Sequence, residues 1–171
     1  MAKPVDLVIF GASGDLSHRK ILPSLGHLVS RDSQNVRVIG AGRSPKSTED
    51  FRAFVKDASG NDRLAGTAEW IHLDYADPAT FAPLKQIVEG PPTTIFYMAT
   101  PAETFSEILS GLTASGLADK VGSGAWIWAR GGRGLSHWRK TGQTGLRRAI
   151  PAPPRCLRTR RYASPSKASL S

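Results

Sequence analysis

Residues 5–16 read Val-Asp-Leu-Val-Ile-Phe-Gly-Ala-Ser-Gly-Asp-Leu, and this stretch decides the fold of the 171-residue chain. The first six residues are mostly apolar and rich in β-branched side chains, which is typical of a buried parallel strand. A glycine turn follows at once, and apolar residues near helical spacing continue from Leu16. We therefore expect a strand, a tight turn and a helix, with a kink or an irregular turn where Pro23 falls inside the helix.

The same alternation continues along the chain. Further strands are predicted at residues 36–40, 70–74 and 94–98, and helices at residues 47–56, 77–88 and 102–117. Ser47 and Thr48 before two acidic residues, and Asp77 before Pro78, are typical of helix starts. Strands that alternate with helices predict an α/β fold over residues 5–123, a Rossmann-like parallel sheet with helices on both faces.

Charge is divided unevenly along the chain, whose formal net charge is +9. Residues 1–123 hold 12 Lys and Arg against 14 Asp and Glu, whereas residues 124–171 hold 11 Lys and Arg and no acid. The second segment is rich in Arg, Gly, Pro and Ser and has no helical or alternating period, so we expect a basic, disordered tail. We therefore predict two parts, a nucleotide-binding domain over residues 1–123 and a basic tail over residues 124–171.

Two explanations of the basic tail stay open. Its composition is that of GC-rich DNA read out of frame, which predicts a frameshift near residues 122–125. The other explanation is a basic arm, because Lys and Arg clusters can neutralise phosphates. No nucleic-acid-binding motif accompanies the tail, so we expect no nucleic-acid partner.

Several classes of protein are excluded by simple features. A single cysteine, Cys156, excludes a disulfide framework, and no Cys and His cluster has metal-ligand spacing. No apolar run approaches the roughly 18 residues that a membrane span needs. The first residues have no secretory pattern, because a charge interrupts their short apolar stretch. We expect a cytoplasmic protein without a metal ion.

The glycine turn is a candidate phosphate site. Gly11 and Gly14 follow the first strand and open the first helix, where glycine lets the backbone approach a pyrophosphate and the helix N-terminus favours an anion. Glycine also occurs in strand–helix turns for its backbone freedom alone. The position of the two glycines between a strand and a helix favours the phosphate site over this alternative.

The segment after the second strand indicates which dinucleotide binds. NAD-binding folds usually carry an Asp or Glu there, which contacts the ribose 2′-hydroxyl. Here the segment is Gly40-Ala-Gly-Arg43-Ser44, with no acid before Glu49. A guanidinium and a hydroxyl suit the adenosine 2′-phosphate, which favours NADP over NAD; a solvated loop arginine is the alternative.

Residues 8–25, Val-Ile-Phe-Gly-Ala-Ser-Gly-Asp-Leu-Ser-His-Arg-Lys-Ile-Leu-Pro-Ser-Leu, resemble the opening of the glucose-6-phosphate 1-dehydrogenases. That family has G-A-S/K-G-D-L-A-x-R-K-L-L-P-A-L there, and G-R-S or G-R-A after its second strand. Residues 97–101, Tyr-Met-Ala-Thr-Pro, resemble its Y-x-A-x-P-P motif, with Ala102 in place of the second proline. The resemblance covers residues 5–123, within the NADP-binding domain of the family.

The resemblance implies a role for individual residues of this chain. Lys20 would point into the cleft between nicotinamide and sugar phosphate, although a surface lysine is the alternative. We interpret His18, His27 and His72 as structural or solvated, because none lies in a family motif. The implied NADP-binding residues are Gly11, Ala12, Ser13, Gly14, Asp15 and Leu16 at the pyrophosphate, Arg43 and Ser44 at the 2′-phosphate, Asp74 and Tyr75 beside the adenosine, and Ala99, Thr100 and Pro101 past the fourth strand.

The resemblance also implies a function. The family is an oxidoreductase of glucose metabolism that converts D-glucose 6-phosphate and NADP to 6-phospho-D-glucono-1,5-lactone and NADPH in the pentose phosphate pathway, and it acts as a homo-oligomer. Its E-K-P-F-G-x-D motif and its R-I-D-H-Y-L-G-K motif, which supplies the general-base histidine, are absent here. We therefore identify no catalytic residue and expect this chain as written not to turn over the sugar phosphate.

Two other functions stay open at this point. A noncatalytic NADP-binding module with a basic arm for nucleic acid or a protein partner is the main alternative. A small stand-alone NADP reductase would need a Tyr-x-x-x-Lys pair, which the sequence does not contain.

Overall fold

The computed structural model describes residues 5–32, 35–88 and 93–118, and the backbone of residues 126–130 and 135–136. These all lie in the first of two compact units, Met1–Arg139; the second unit, Lys140–Ser171, lies outside the described residues. Within the described ranges, no helix is both long and apolar enough to cross a membrane.

Strands and helices alternate along the described part of the chain. The strands are β1, Val5–Phe10; β2, Val36–Gly42; β3, Glu69–His72; β4, Thr93–Met98; β5, Trp126–Arg130; and β6, Leu135–Ser136. The helices are α1, Leu22–Asp32; α2, Thr48–Ser59; α3, Asp62–Gly66; α4, Ala82–Val88; and α5, Phe105–Ala114. A π-helical turn at Ser17–Ile21 precedes α1, and 3-10 turns at Pro78–Phe81 and Ala102–Thr104 precede α4 and α5.

The six strands form one sheet in the order β3-β2-β1-β4-β5-β6. Neighbouring strands are parallel except β5 and β6, which are antiparallel. The chain builds outward from β1 to β3 and then crosses back to β4, so the strand order reverses between β1 and β4. In open α/β sheets, ligands bind in the crevice outside the carboxyl ends of the strands at such a switch point.

Side chains of β1 alternate between the two faces of the sheet, as strand geometry requires. Leu7 and Ile9 join one apolar cluster, and Val8 and Phe10 join the other. The first cluster includes helical residues from α1, α2 and α3, namely Leu22, Leu25, Val29, Phe51, Val55, Leu64 and Ala65. The second includes residues from α4 and α5, namely Leu84, Val88, Ile108 and Leu112. Helices therefore cover both faces, and the predicted Rossmann-like class is confirmed.

The irregular turn predicted near Pro23 is present. The Leu22 N–H bonds back to the Ser17 carbonyl, five residues earlier, in the π-helical turn that precedes α1. Pro23 then lies in the first turn of α1, where its missing N–H costs least.

The cap predicted at Ser47 is also present. Ser47 Oγ accepts the Asp50 N–H at 3.0 Å, and Asp50 Oδ2 accepts the Ser47 N–H at 3.3 Å. The Ser47 hydroxyl also donates to Asp50 Oδ2 at 2.8 Å, and this bond, followed by the one from the Ser47 N–H, lowers the pKa of the Asp50 carboxyl. Helix α3 was not predicted, because five residues are too few for a visible period; Asn61 caps it by accepting the Leu64 N–H at 2.9 Å.

Strands β5 and β6 fall inside residues 124–171, for which the composition predicted disorder. β5 continues the parallel sheet beside β4, with Ile95 opposite Trp126. The local sequence Trp-Ile-Trp suits a strand, but the composition of the whole segment concealed it. The expectation of disorder is corrected for 126–130 and 135–136, and for the rest of the tail it falls outside the described residues.

A charge cluster around buried Asp6 joins the amino ends of three strands. Asp6, in β1, is only 3% exposed, and Arg37 of β2 donates to its two oxygens at 2.9 and 2.8 Å. Arg37 also donates to the Ile87 carbonyl at 2.8 Å and to Glu69 at 3.4 Å. The hydrogen bond with Asp6 is the main cause of a raised Arg37 pKa, and the cluster joins three strands to α4.

Candidate functional site

Four segments of the chain meet at Gly11. Its backbone N–H donates to the Ala41 carbonyl at 2.8 Å and to the Tyr75 hydroxyl at 3.0 Å. Its φ is +75°, and a Cβ there would lie 2.8 Å from Thr100 Cγ2 and 3.2 Å from the Ala99 carbonyl oxygen. Both the positive φ and the lack of room for a Cβ therefore require glycine at position 11. The glycine turn, the end of β2 and the segments after β3 and β4 are therefore brought together.

The turn after β1 is closed by its own backbone. The Gly11 carbonyl accepts the Gly14 N–H at 3.0 Å and the Ser17 hydroxyl at 3.3 Å, and the Gly14 carbonyl accepts the His18 N–H at 3.1 Å. The first N–H groups of a helix have no intrahelical acceptor, which makes this end of the helix attractive to an anion. Ser17 is buried and was missed by the sequence analysis; its difference from the family alanine was the only signal.

Residues of the turn differ in what they expose. Ala12 is fully buried in the core. Ser13 and Leu16 are half-buried, and Gly14 and Asp15 are exposed. Asp15 pairs with Arg19 at 2.6 Å, which partly offsets a carboxylate charge beside the turn.

Arg43 and Ser44 are exposed immediately after β2. The Arg43 guanidinium carbon lies 5.9 Å from the centroid of the Tyr75 ring, within the range of a cation–π contact. The Arg43 carbonyl lies 3.0 Å from His72 Nε2. The sequence indicated only that His72 is structural or solvated, and this contact with Arg43 was not predicted.

Tyr75 lies behind the glycine turn and is only 4% exposed. Its hydroxyl donates to the Ala41 carbonyl at 3.2 Å while it accepts the Gly11 N–H. Burial raises the pKa of the phenol. Its ring supports Arg43 and leaves little surface for an adenosine. Neighbouring Asp74 is exposed, and its Oδ1 accepts the Ala76 N–H at 3.1 Å.

The segment after β4 lies beside the glycine turn. Ala99 donates its N–H to the Phe10 carbonyl at 2.9 Å, and exposed Pro101 follows half-buried Thr100. Thr104 Oγ1 lies 2.8 Å from Thr100 Oγ1 and 2.9 Å from the Pro101 carbonyl oxygen, so hydrogen bonds within the segment hold its backbone. The segment after β4 therefore lines the switch point between β1 and β4, beside the glycine turn.

Lys20 lies in the π-helical turn and is exposed. Its carbonyl accepts the Ser24 hydroxyl at 2.7 Å, which fixes the backbone there. An exposed ammonium is what a cleft role would require, and that role stays a prediction.

The family model described as glucose-6-phosphate dehydrogenase, NAD binding domain, matches residues 8–127. The chain belongs to the glucose-6-phosphate dehydrogenase family. The resemblance found in the glycine turn and after β2 and β4 is thereby confirmed, and the matched part is the dinucleotide-binding domain of the family. This membership favours the dehydrogenase over a separate binding module.

Curated relatives carry the same family name. The glucose-6-phosphate 1-dehydrogenase of Buchnera aphidicola subsp. Schizaphis graminum (strain Sg) is 35% identical over 121 residues, which are 63% of this chain and 25% of that protein. The enzyme of Dickeya dadantii (strain 3937) is 34% identical over 130 residues, 68% of this chain and 26% of that protein. The chain therefore spans only a small part of the length of these dehydrogenases.

Solved structures agree with the fold. A glucose-6-phosphate dehydrogenase in complex with its substrate glucose-6-phosphate superposes with a TM-score of 0.63 at 25% identity, covering 75% of this chain and 30% of that one. The glucose-6-phosphate 1-dehydrogenase from Mycobacterium avium superposes with a TM-score of 0.65 at 22% identity and the same coverage. The second likeness concerns the fold alone.

Proposed function

We propose that this chain is the NADP-binding portion of a glucose-6-phosphate dehydrogenase. In this proposal, residues 11–16 hold the pyrophosphate, and Arg43 and Ser44 hold the adenosine 2′-phosphate. The observation that carries the proposal is the position of exposed Arg43 beside the glycine turn, where NAD-binding folds usually carry an acid.

The charge of the loop after β2 supports NADP over NAD. Arg43 is followed by Ser44, Pro45 and Lys46, so the loop has two cations and no acid. A guanidinium binds phosphate through two parallel hydrogen bonds, which gives it both affinity and a fixed geometry. Asp50, in the first turn of α2, is engaged by the Ser47 hydroxyl and backbone.

The remaining assigned residues complete the cofactor site in this proposal. Asp74 would lie at the adenosine, with Tyr75 behind it, and Ala99, Thr100 and Pro101 would line the pocket at the switch point. Bound NADP would supply the hydride acceptor, while the protein supplies position and electrostatics. Lys20 would face the cleft toward the sugar phosphate.

The activity of the whole dehydrogenase is part of the proposal. The relatives are named glucose-6-phosphate 1-dehydrogenase, and one solved neighbour is described with glucose-6-phosphate as its substrate. We propose the same substrate, with oxidation at its C1 hydroxyl, for the protein to which this domain belongs. A cytoplasmic location, expected from the sequence, and a homo-oligomeric assembly, implied by the family resemblance, belong to this proposal.

Cofactor titration of the full 171-residue chain tests the assignment. NADP and NAD are titrated separately against the wild type, Arg43→Ala and Arg63→Ala, an exposed arginine on α3 that serves as the matched control. A charge-assisted contact to a phosphate is worth about 1.5–3 kcal/mol, so Arg43→Ala should weaken NADP binding about ten- to a hundredfold. NAD binding should stay nearly unchanged, and Arg63→Ala should change neither.

Two results would contradict the assignment. Equal losses of NADP and NAD affinity in Arg43→Ala would show that the arginine supports the loop without contacting the 2′-phosphate. Absence of binding of either nucleotide to the folded wild-type chain would contradict the cofactor site itself.

A further inference from the structure

His72 lies at the end of β3, and its exposed ring reaches the loop after β2. His72 Nε2 is 3.0 Å from the Arg43 carbonyl oxygen. A backbone carbonyl can only accept a hydrogen bond, so the proton must be on Nε2 and the imidazole is the donor. His72 therefore contacts the backbone of the residue that is proposed to recognise the 2′-phosphate.

A backbone hydrogen bond lies directly beside this contact. The Leu73 N–H donates to the Gly42 carbonyl at 3.0 Å, and His72 is opposite Gly42 in the parallel register. Two consecutive carbonyls at the exit of β2, those of Gly42 and Arg43, therefore accept hydrogen bonds from Leu73, just after β3, and from His72, the last residue of β3. The first bond belongs to the sheet, whereas the second depends on the identity of the side chain at position 72.

The other end of the loop is held independently. Ser47 is fixed by its capping box, and Lys46 Nζ lies 5.8 Å from the centroid of the Phe54 ring. In the described part of this loop, the contact made at the peptide after Arg43 is the hydrogen bond from His72. The Arg43 side chain has the Tyr75 ring beside it, but a ring face does not fix the backbone.

We propose that His72 is a positioning residue that increases the preference of this site for nucleotides with a 2′-phosphate. The inference rests on the proposed function, since it assigns Arg43 to that phosphate. A fixed backbone lowers the ordering cost that Arg43 incurs on binding. Only ligands that Arg43 contacts gain affinity from this lower ordering cost. A nucleotide without the 2′-phosphate should therefore bind equally well with and without the His72 side chain.

Two nucleotide probes isolate this effect in the full chain. Adenosine 2′,5′-bisphosphate carries the 2′-phosphate, and adenosine 5′-monophosphate lacks it. Both are titrated against the wild type, His72→Ala, His72→Gln and the control His27→Ala, an exposed histidine on α1. Loss of one hydrogen bond should weaken the bisphosphate about three- to tenfold in His72→Ala and leave the monophosphate unchanged.

The conservative variant and a double variant separate positioning from general stability. His72→Gln keeps an N–H donor and should restore part of the bisphosphate affinity. In Arg43→Ala, adding His72→Ala should cause no further loss, because the two residues act through one contact. Thermal melting of each variant shows that the compared chains are folded.

Three outcomes would overturn the inference. Equal weakening of both probes by His72→Ala would assign His72 to the stability of the sheet end. Unchanged affinity for both probes would show that the hydrogen bond does not position Arg43. If Arg43→Ala leaves the preference for the bisphosphate intact, the proposed 2′-phosphate site fails, and this inference fails with it. That last result is distinguishable from the first two because they leave the Arg43→Ala effect in place.

Discussion

The hydroxyl oxygen of Tyr75 lies 3.0 Å from the backbone nitrogen of Gly11, a hydrogen bond that connects the loop after β3 to the glycine turn. The same hydroxyl donates to the Ala41 carbonyl at the end of β2. One buried phenol therefore joins three of the four segments that form the candidate site.

Replacing Tyr75 by Phe keeps the ring and removes this junction. The Gly11 N–H would still donate to Ala41, so the expected cost is that of one partly buried hydrogen bond, about 0.5–1.5 kcal/mol in the free energy of unfolding. Urea denaturation of both proteins measures the difference. An unchanged midpoint would show that the hydroxyl does not contribute to stability.

The raised pKa of Tyr75 gives a second prediction, on pH. Burial is the main cause of the shift above the ordinary value of 10.0, so the fold favours the neutral phenol. The contribution of the neutral phenol to the free energy of unfolding is fully present below pH 10.0. It is lost as the pH rises toward the higher pKa of the folded protein, because the Tyr75 phenol of the unfolded chain loses its proton first. Above pH 10.0, the free energy of unfolding should fall more steeply for the wild type than for Tyr75→Phe. Parallel curves would contradict this assignment.

Gly11→Ala should both strain the backbone and crowd Thr100. A positive φ in a non-glycine residue costs on the order of 1–3 kcal/mol, and the 2.8 Å approach to Thr100 Cγ2 adds to it. Gly60→Ala is the matched control, since Gly60 has a φ of +63° but nothing within 4 Å of its Cβ. Thermal unfolding should show a larger loss at position 11. Equal losses would mean that the close approach has no cost.

Asp6→Asn should destabilise the sheet more than Glu69→Gln does. Asp6 is buried and makes two hydrogen bonds to Arg37, whereas Glu69 is one-third exposed and 3.4 Å away. Charged hydrogen bonds contribute about 1.5–3 kcal/mol when buried, so Asp6→Asn should lower the free energy of unfolding by about that amount. Chemical denaturation of both variants decides the order, and a reversed order would refute the leading role of Asp6.

The repeated strand and helix units could be predicted because each depends on a local pattern. The β-branched run of β1, the glycine turn and the Ser47 cap all act over a few residues, which a sequence displays directly. The family string around Asp15 and Lys20 then indicated the kind of domain. Arg43 could be placed near the turn because parallel strands end at one edge of the sheet.

Other features depend on packing between distant segments. Nothing local in the sequence shows that Tyr75 is buried behind Gly11 or that His72 reaches Arg43, because both contacts join residues far apart in the chain. Ser17 is similar, since its hydroxyl is needed only once the turn has closed on it. Strand β5 was missed for another reason: the basic composition around it concealed a short aromatic strand.

The charge cluster of Asp6 and Arg37 lies at the amino ends of the strands, and the candidate site lies at their carboxyl ends. Along β1, the four residue steps from Asp6 to Phe10 correspond to about 13 Å, far enough for substitutions at the two edges to act independently. Protein engineering can therefore treat them as separate design regions. A thermostabilised version of this domain can be sought at the amino edge while its ligand preference is tuned at the opposite one.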